Sequence, residues 1–174
     1  MWPFAKPAQA DDNRTVYDFT FHALMGDADM PLSQFRGKVI LVVNTASKCG
    51  FTGQYDGLEK LYKNLSNKGL VIVGVPSDNF GHQEPGTNKD IAEFCQLNYG
   101  VSFPMAAKEN VIGDDAHPFY KWARDKLGFL GAPKWNFHKY LISRDGTLLD
   151  YFGSATTPDD KKLIKAINDA LAAS

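Results

Sequence analysis

The sequence predicts an α/β fold, a central mixed sheet flanked by helices and preceded by an N-terminal β-hairpin. Three observations predict it. Two continuous β-branched apolar runs, residues 38–44 (KVILVVN) and 70–75 (LVIVGV), suit central strands buried on both faces. Between them Tyr55, Leu58, Leu61, Tyr62 and Leu65 recur at helical spacing and Gly69 closes the segment. Near the C-terminus, Arg144-Asp145-Gly146-Thr147 places an Asp-Gly turn between two strand-like runs. The first two observations make a β-α-β unit with parallel strands and a right-handed crossover.

The remaining elements follow in order. Val16, Phe19 and Phe21 lie in a β-prone stretch, residues 26–29 form a turn, and residues 30–34 return, giving the hairpin. Residues 76–86 are a loop rich in Gly and polar side chains. Thr87 with Asp90 resembles a capping box for a helix whose apolar face is Ile91, Phe94 and Cys95. Residues 101–106 suit a short strand, with Pro104 placing it at an edge or a bend. Asp114 or Asp115 is expected to cap a helix through Leu127, with Pro118 in its first turn. Thr157-Pro158 is expected to open a last helix with face Leu163, Ile164, Ile167 and Leu171. This order is that of a thioredoxin-like domain with an added hairpin and an inserted helix.

The counts narrow the function. The chain has 174 residues, 44% hydrophobic and 22% charged, which suits one folded domain. A formal charge of −1 gives no electrostatic footprint for nucleic acid. No apolar run reaches the ~20 residues that span a bilayer. Residues 1–12 read as a leader ahead of a single domain over 13–174. Pro-Ala-Gln-Ala within it resembles the end of a secretory signal, but a basic n-region and an apolar h-region are missing. Two readings stand, a disordered leader or a signal remnant, and with them a cytoplasmic or a periplasmic location.

Cys49 is the most informative residue. It follows the first buried run by a few positions, at the mouth of the first helix of the β-α-β unit. There unpaired N–H groups and the helix dipole favour a thiolate, and Lys48 adds to that field. The competing reading is a buried, inert cysteine, which polar and Gly neighbours disfavour. Cys49-Gly50-Phe51-Thr52 lacks the second thiol of a Cys-x-x-Cys, which disfavours simple dithiol exchange. A lone activated thiol suits oxidation by a hydroperoxide to a sulfenic acid. Cys95 is the other thiol, on the predicted helix after the loop. It either packs in the core or condenses with oxidised Cys49. A disulfide needs Cα atoms within ~7 Å, so a buried Cys95 would have to move, with unwinding over residues 90–99.

These residues match a known pattern. Asn44-Thr45-Ala46-Ser47-Lys48-Cys49-Gly50, the loop from Gly81 to Asn88 with its Gln83-Glu84-Pro85-Gly86, and Trp135-Asn136-Phe137 together resemble the three signatures of the glutathione peroxidase family. The resemblance runs from about Val16 to the C-terminus. It implies that Cys49 is the peroxidatic residue and that Gln83, Trp135 and Asn136 complete a catalytic tetrad. Amide and indole N–H groups can stabilise a thiolate and a developing alkoxide without titrating. It implies hydrogen peroxide and organic or lipid hydroperoxides as substrates. Cys95 matches the segment where thioredoxin-dependent members keep a resolving cysteine, which favours a thioredoxin-type reductant over glutathione. Two alternatives remain: a one-cysteine glutathione-dependent peroxidase, and a peroxide-sensing relay protein.

The chain departs from the family in places. Pro76-Ser77-Asp78-Asn79-Phe80 stands where Pro-Cys-Asn-Gln-Phe is usual, which excludes a three-thiol scheme. Thr45 stands where Val is common. The segment 128–134 is short beside members with a tetramer-forming loop, so a monomer is expected. No cofactor is implied. His22, His82, His117 and His138 show no metal-ligand spacing, and a copper chaperone of this fold would need a Cys-x-x-x-Cys. No nucleotide-binding glycine loop or Gly-x-Ser-x-Gly elbow is present.

Overall fold

A computed structural model describes residues 12–173; the leader expected over 1–12 lies outside the described residues except for Asp12. A four-stranded sheet has the order β4-β3-β5-β6. Here β3 is Val39–Thr45, β4 Leu70–Pro76, β5 Lys139–Ile142 and β6 Leu148–Phe152. β3 pairs parallel with β4 and antiparallel with β5, so the sheet is mixed. A separate two-stranded hairpin joins β1 (Thr20–His22) to β2 (Asp29–Pro31). The four helices are α1 (Gln54–Leu65), α2 (Asn88–Tyr99), α3 (Pro118–Leu127) and α4 (Lys161–Ala172).

The two β-branched runs are the two central strands because both faces are covered. Every residue of β3 and β4 is buried. Leu41 and Val43 face α1 and α4 through Leu58, Leu163 and Ile167. Ile40, Val42, Val71 and Val73 face Phe119, Trp122 and the hairpin's Phe21. Alternate side chains of one strand thus fill two cores, as a period of two requires. Gly69 returns the chain from α1 to β4 at φ +111°, where a Cβ would lie 2.7 Å from Arg144 Nη1. That guanidinium instead donates to the carbonyls of Gly37, Lys68 and Leu171, stapling the connections before β3 and β4 to the last turn of α4.

Local expectations are corrected at several ends. α3 is capped by His117, whose Nδ1 accepts from Phe119 N–H at 3.1 Å, and not by Asp114 or Asp115. Pro118 still takes the first helical position. α4 starts at Lys161, with Asp160 accepting from the Lys162 and Leu163 amides, later than Thr157-Pro158 predicts. Residues 101–106 form no named strand. They touch the edge of β4 through Ala106 N–H to Gly74 O and Gly74 N–H to Pro104 O, because Pro104 has no amide to continue a ladder. The Thr87–Asp90 capping box is present as predicted.

Candidate active site

The end of β3 delivers the chain into a tight polar turn. Thr52 Oγ1 accepts from Cys49 N–H and donates to Ala46 O, both at 2.9 Å. Thr52 N–H returns to Cys49 O at 3.1 Å. Thr52 thus satisfies backbone groups on both sides of the sulfur, which faces inward. Cys49 is 8% exposed and belongs to the core between sheet, α1 and α2. This corrects the expectation that its polar and Gly neighbours would leave it open. α1 begins five positions later, at Gln54, so the amide that meets the sulfur is a turn amide, not a helical one. Phe51 N–H lies 3.3 Å from Cys49 Sγ. The Lys48 side chain is exposed, and its backbone N–H is what ties the turn to the next segment, donating to Gln83 O at 3.0 Å.

Gln83 is presented by a bent backbone. Gly81 and His82 both adopt the left-handed region, at φ +66° and +52°. A Cβ on Gly81 would lie 3.0 Å from Trp135 Cη2, so only glycine admits this approach. Asp78 holds the bend, accepting from Glu84 N–H at 3.0 Å and pairing with His82 Nδ1 at 3.1 Å. Lys108 straps the far side, with Nζ donating to Glu84 O and Gly86 O at 2.9 Å each.

The third segment is pinned from β3. Asn44 Nδ2 donates to Trp135 O at 3.1 Å, and Phe137 N–H donates to Asn44 O at 2.6 Å. Asn136 is fully buried and its Nδ2 donates to Gln83 Oε1 at 3.0 Å. Trp135 packs on Phe80, ring centroids 5.8 Å apart, and against the apolar cluster that holds Cys49. Phe137 has φ +64°, an outlier for an aromatic residue that costs about 1–3 kcal/mol.

The structure therefore joins the Cys49 turn to Gln83 through the Lys48 amide, and Gln83 to Asn136 through their side chains. Cys95 lies apart from this chain of bonds, on α2. It is a free, buried thiol, 2% exposed, and burial pushes its pKa up to about 11. Polar groups left without partners gather nearby. Tyr55 Oη and Thr45 Oγ1 are buried and unpaired. Glu84 is 1% exposed and burial raises its pKa. Ser47 approaches the Glu84 carboxyl without closing a well-formed hydrogen bond, which leaves Ser47 Oγ and Glu84 Oε2 both unpaired. Both residues line a cleft of about 330 Å³ between the Cys49 turn and α2, floored by Pro85, Ile91 and Phe94.

Three supports escaped the sequence reading. Asn44 opens the quoted motif and Thr52 lies two residues past its end, yet only their bonds reveal that they lock the third segment and the turn. Lys139 stands at the start of β5, where a lysine reads as solvent-facing. It is fully buried, with Nζ donating to Phe137 O at 2.6 Å.

The glutathione peroxidase family model matches residues 16–124. The chain belongs to the glutathione peroxidase family. This thiol peroxidase is 50% identical over 131 residues to the glutathione peroxidase-like peroxiredoxin of Schizosaccharomyces pombe, covering 74% of this chain and 83% of that one. It is 43% identical over 159 residues to the hydroperoxy fatty acid reductase of Synechocystis, covering 87% and 94%. Among solved structures it resembles apo Trgpx, with a TM-score of 0.74, 40% identity, and 93% and 98% of the two chains covered. The peroxidase shares its thioredoxin-like fold with a thiol:disulfide interchange protein of Chlorobium tepidum, at 15% identity and a TM-score of 0.65. Among its described residues no three His, Cys, Asp or Glu side chains gather as a metal site, and no helix is long and apolar enough to cross a membrane.

Proposed function

We propose that Cys49 is the peroxidatic residue and that Gln83, Trp135 and Asn136 surround it as uncharged donors. The observation that carries this reading is the bond from Asn136 Nδ2 to Gln83 Oε1. It occupies the acceptor end of the Gln83 amide and leaves its N–H₂ end free. Gln83 is in turn one bond from the Cys49 turn. Neutral donors preorganised in a half-buried site stabilise charge on sulfur and on the departing oxygen without titrating themselves.

The Cys49 thiolate attacks the distal oxygen of a hydroperoxide. The S–O bond forms, the O–O bond breaks, and the departing alkoxide takes from solvent the proton that Cys49 released on ionising, leaving as an alcohol, or as water from hydrogen peroxide. Cys49 is then a sulfenic acid. The Cys95 thiol attacks that sulfur, an S–S bond forms, and hydroxide leaves with the thiol proton as water. A dithiol protein of the thioredoxin type returns two electrons and two protons. Hydrogen peroxide and organic or lipid hydroperoxides are the substrates. The relative named as a hydroperoxy fatty acid reductase supports the latter class, and those named peroxiredoxins support a two-thiol cycle.

One observation favours a second reading. Cys95 is buried and its thiol is held protonated, which suits direct reduction of Cys49 by glutathione unless α2 opens. Replacing Cys95 with Ser decides between them. In the two-cysteine cycle, one equivalent of peroxide lowers the intact mass by about two hydrogens. Cys95→Ser then stops at a trappable sulfenic acid and loses thioredoxin-supported turnover. Undiminished turnover of Cys95→Ser with glutathione, and none with thioredoxin in either form, establishes the second. Cys49→Ser abolishes turnover in both.

A further inference from the structure

Lys139 is placed where the fold asks for an apolar side chain. It pairs with Val43 of β3 and Phe152 of β6. It shares its sheet face with Leu141, which packs with Leu41, Leu163 and Ile167. The residue is fully buried, and among the described residues it has no carboxylate partner. Its amino group meets one acceptor, the carbonyl of Phe137, at 2.6 Å. Burial without a counter-charge lowers its pKa to about 7. An apolar residue of equal volume would serve this face with less desolvation.

Phe137 is what the amine holds. Its backbone is left-handed at φ +64°, a conformation an aromatic residue does not keep unaided. Both of its backbone polar groups are clamped: N–H to Asn44 O at 2.6 Å and C=O to Lys139 Nζ at 2.6 Å. Trp135 O is clamped too, by Asn44 Nδ2. With the amine removed, the Phe137 carbonyl is buried without a partner and its peptide can rotate toward negative φ. That rotation swings Asn136 away from Gln83 Oε1, now 3.0 Å from its amide.

We propose that Lys139 is a positioning residue of the peroxidatic centre, its amino group fixing the left-handed Phe137 peptide and, through it, the aim of Trp135 and Asn136. The proposal rests on the reading of Cys49, Trp135 and Asn136 given above. A lysine kept for packing would make rate follow stability. A positioning lysine separates the two.

The test is made on the full chain in a Cys95→Ser background, so that dimedone trapping of the sulfenic acid reports the peroxide step alone. Lys139→Met removes the donor and the charge and keeps the volume. We expect the second-order rate with hydrogen peroxide to fall about 10- to 100-fold while the thermal midpoint stays level or rises. Lys139→Gln keeps an N–H donor and is expected to lie between the two in rate. Replacing Phe137 with Gly lets the peptide hold positive φ at no steric cost. The Lys139→Met loss should therefore shrink in that background. Should Lys139→Met not fold, Lys139→Leu is read by the same criteria. A rate within twofold of the parent, or a rate that falls in step with the midpoint and additively with Phe137→Gly, overturns the proposal. In the Cys95→Ser parent Cys49 is the single thiol in the chain, and a peroxide rate for it no faster than that of free cysteine would instead remove the reading of the site itself.

Discussion

Replacing Thr87 with Ala should accelerate disulfide closure. In the reduced fold Cys95 is buried on α2, and its pKa stands at about 11 against an ordinary 9.0. Two units leave about 100-fold less thiolate than an exposed cysteine carries. A folded helix also restrains the sulfur. Closure must then run mainly through molecules in which α2 has opened, and its rate is the opening equilibrium multiplied by the rate in the open state. The helix offers a handle on that equilibrium. Its N-terminus is held by a reciprocal cap, Asp90 N–H to Thr87 Oγ1 at 3.2 Å and Thr87 N–H to Asp90 Oδ2 at 3.0 Å. Only Ile91 and Cys95 of its residues are fully buried. Losing such a cap costs about 1 kcal/mol, which at RT ≈ 0.59 kcal/mol multiplies the open population about fivefold. Closure, timed by acid quench and mass after one equivalent of peroxide, should speed up about fivefold. Alkylation of Cys95 in the reduced protein should rise by the same factor. Thr87→Ser, which keeps the hydroxyl, should behave as the parent. If hydrogen exchange shows α2 loosened in Thr87→Ala while closure stays within about 1.5-fold of the parent, opening of this helix does not gate the step.

Two further outcomes follow from the site and its surroundings. Asn136→Ala removes the group that holds Gln83 by its Oε1; the peroxide rate of Cys49, followed by thiol loss under stopped flow, should fall about 10²- to 10³-fold. His138 should make stability depend on pH. Burial lowers its pKa from 6.5 to about 4, so below pH 6.5 the unfolded chain binds a proton that the folded chain refuses. Its contribution is complete above pH 6.5 and is lost as the pH falls toward 4, about 3 kcal/mol across that window. Urea unfolding between pH 4 and 7.5 should show this slope in the parent, and His138→Gln should remove that part of it.

The sheet was legible because its signal is strong and local. A run such as residues 39–45 can be buried on both faces only at the middle of a sheet, and its seven residues are. Helix ends were legible where the cap is a reciprocal pair, as at Thr87 and Asp90, and misread where another side chain competes. His117 outbids Asp114 and Asp115 because Pro118 fixes the first turn beside it. Asp160 outbids Thr157 because its carboxylate accepts from two amides at once. The burial of Cys49 was misread for a related reason. Thr52 bonds back to the turn's own backbone and closes it over the sulfur, which composition alone does not disclose. Lys139 was invisible because a charged residue at a strand end ordinarily faces water.

The site's polar partners sit beside strained backbone, which the sequence announces at the Gly-rich loop that carries Gln83 and does not announce at Asn136. Gln83 follows His82, and Asn136 precedes Phe137, the two non-glycine residues with positive φ among those described. Gly81 marks the first bend, within the loop read over residues 76–86, whereas an aromatic residue at 137 marks none. Each strained residue is held by groups from elsewhere: His82 by the Asp78 side chain, Phe137 by the Asn44 backbone and the Lys139 side chain. A relaxed turn would let the Gln83 and Asn136 amides sample several rotamers, and a donor that must reorganise as charge develops loses most of its effect. Strain paid at two peptides therefore yields two fixed amides. It also ties the site to the fold, since the bonds that hold the bends originate in the end of β3, the start of β5 and the loop after β4.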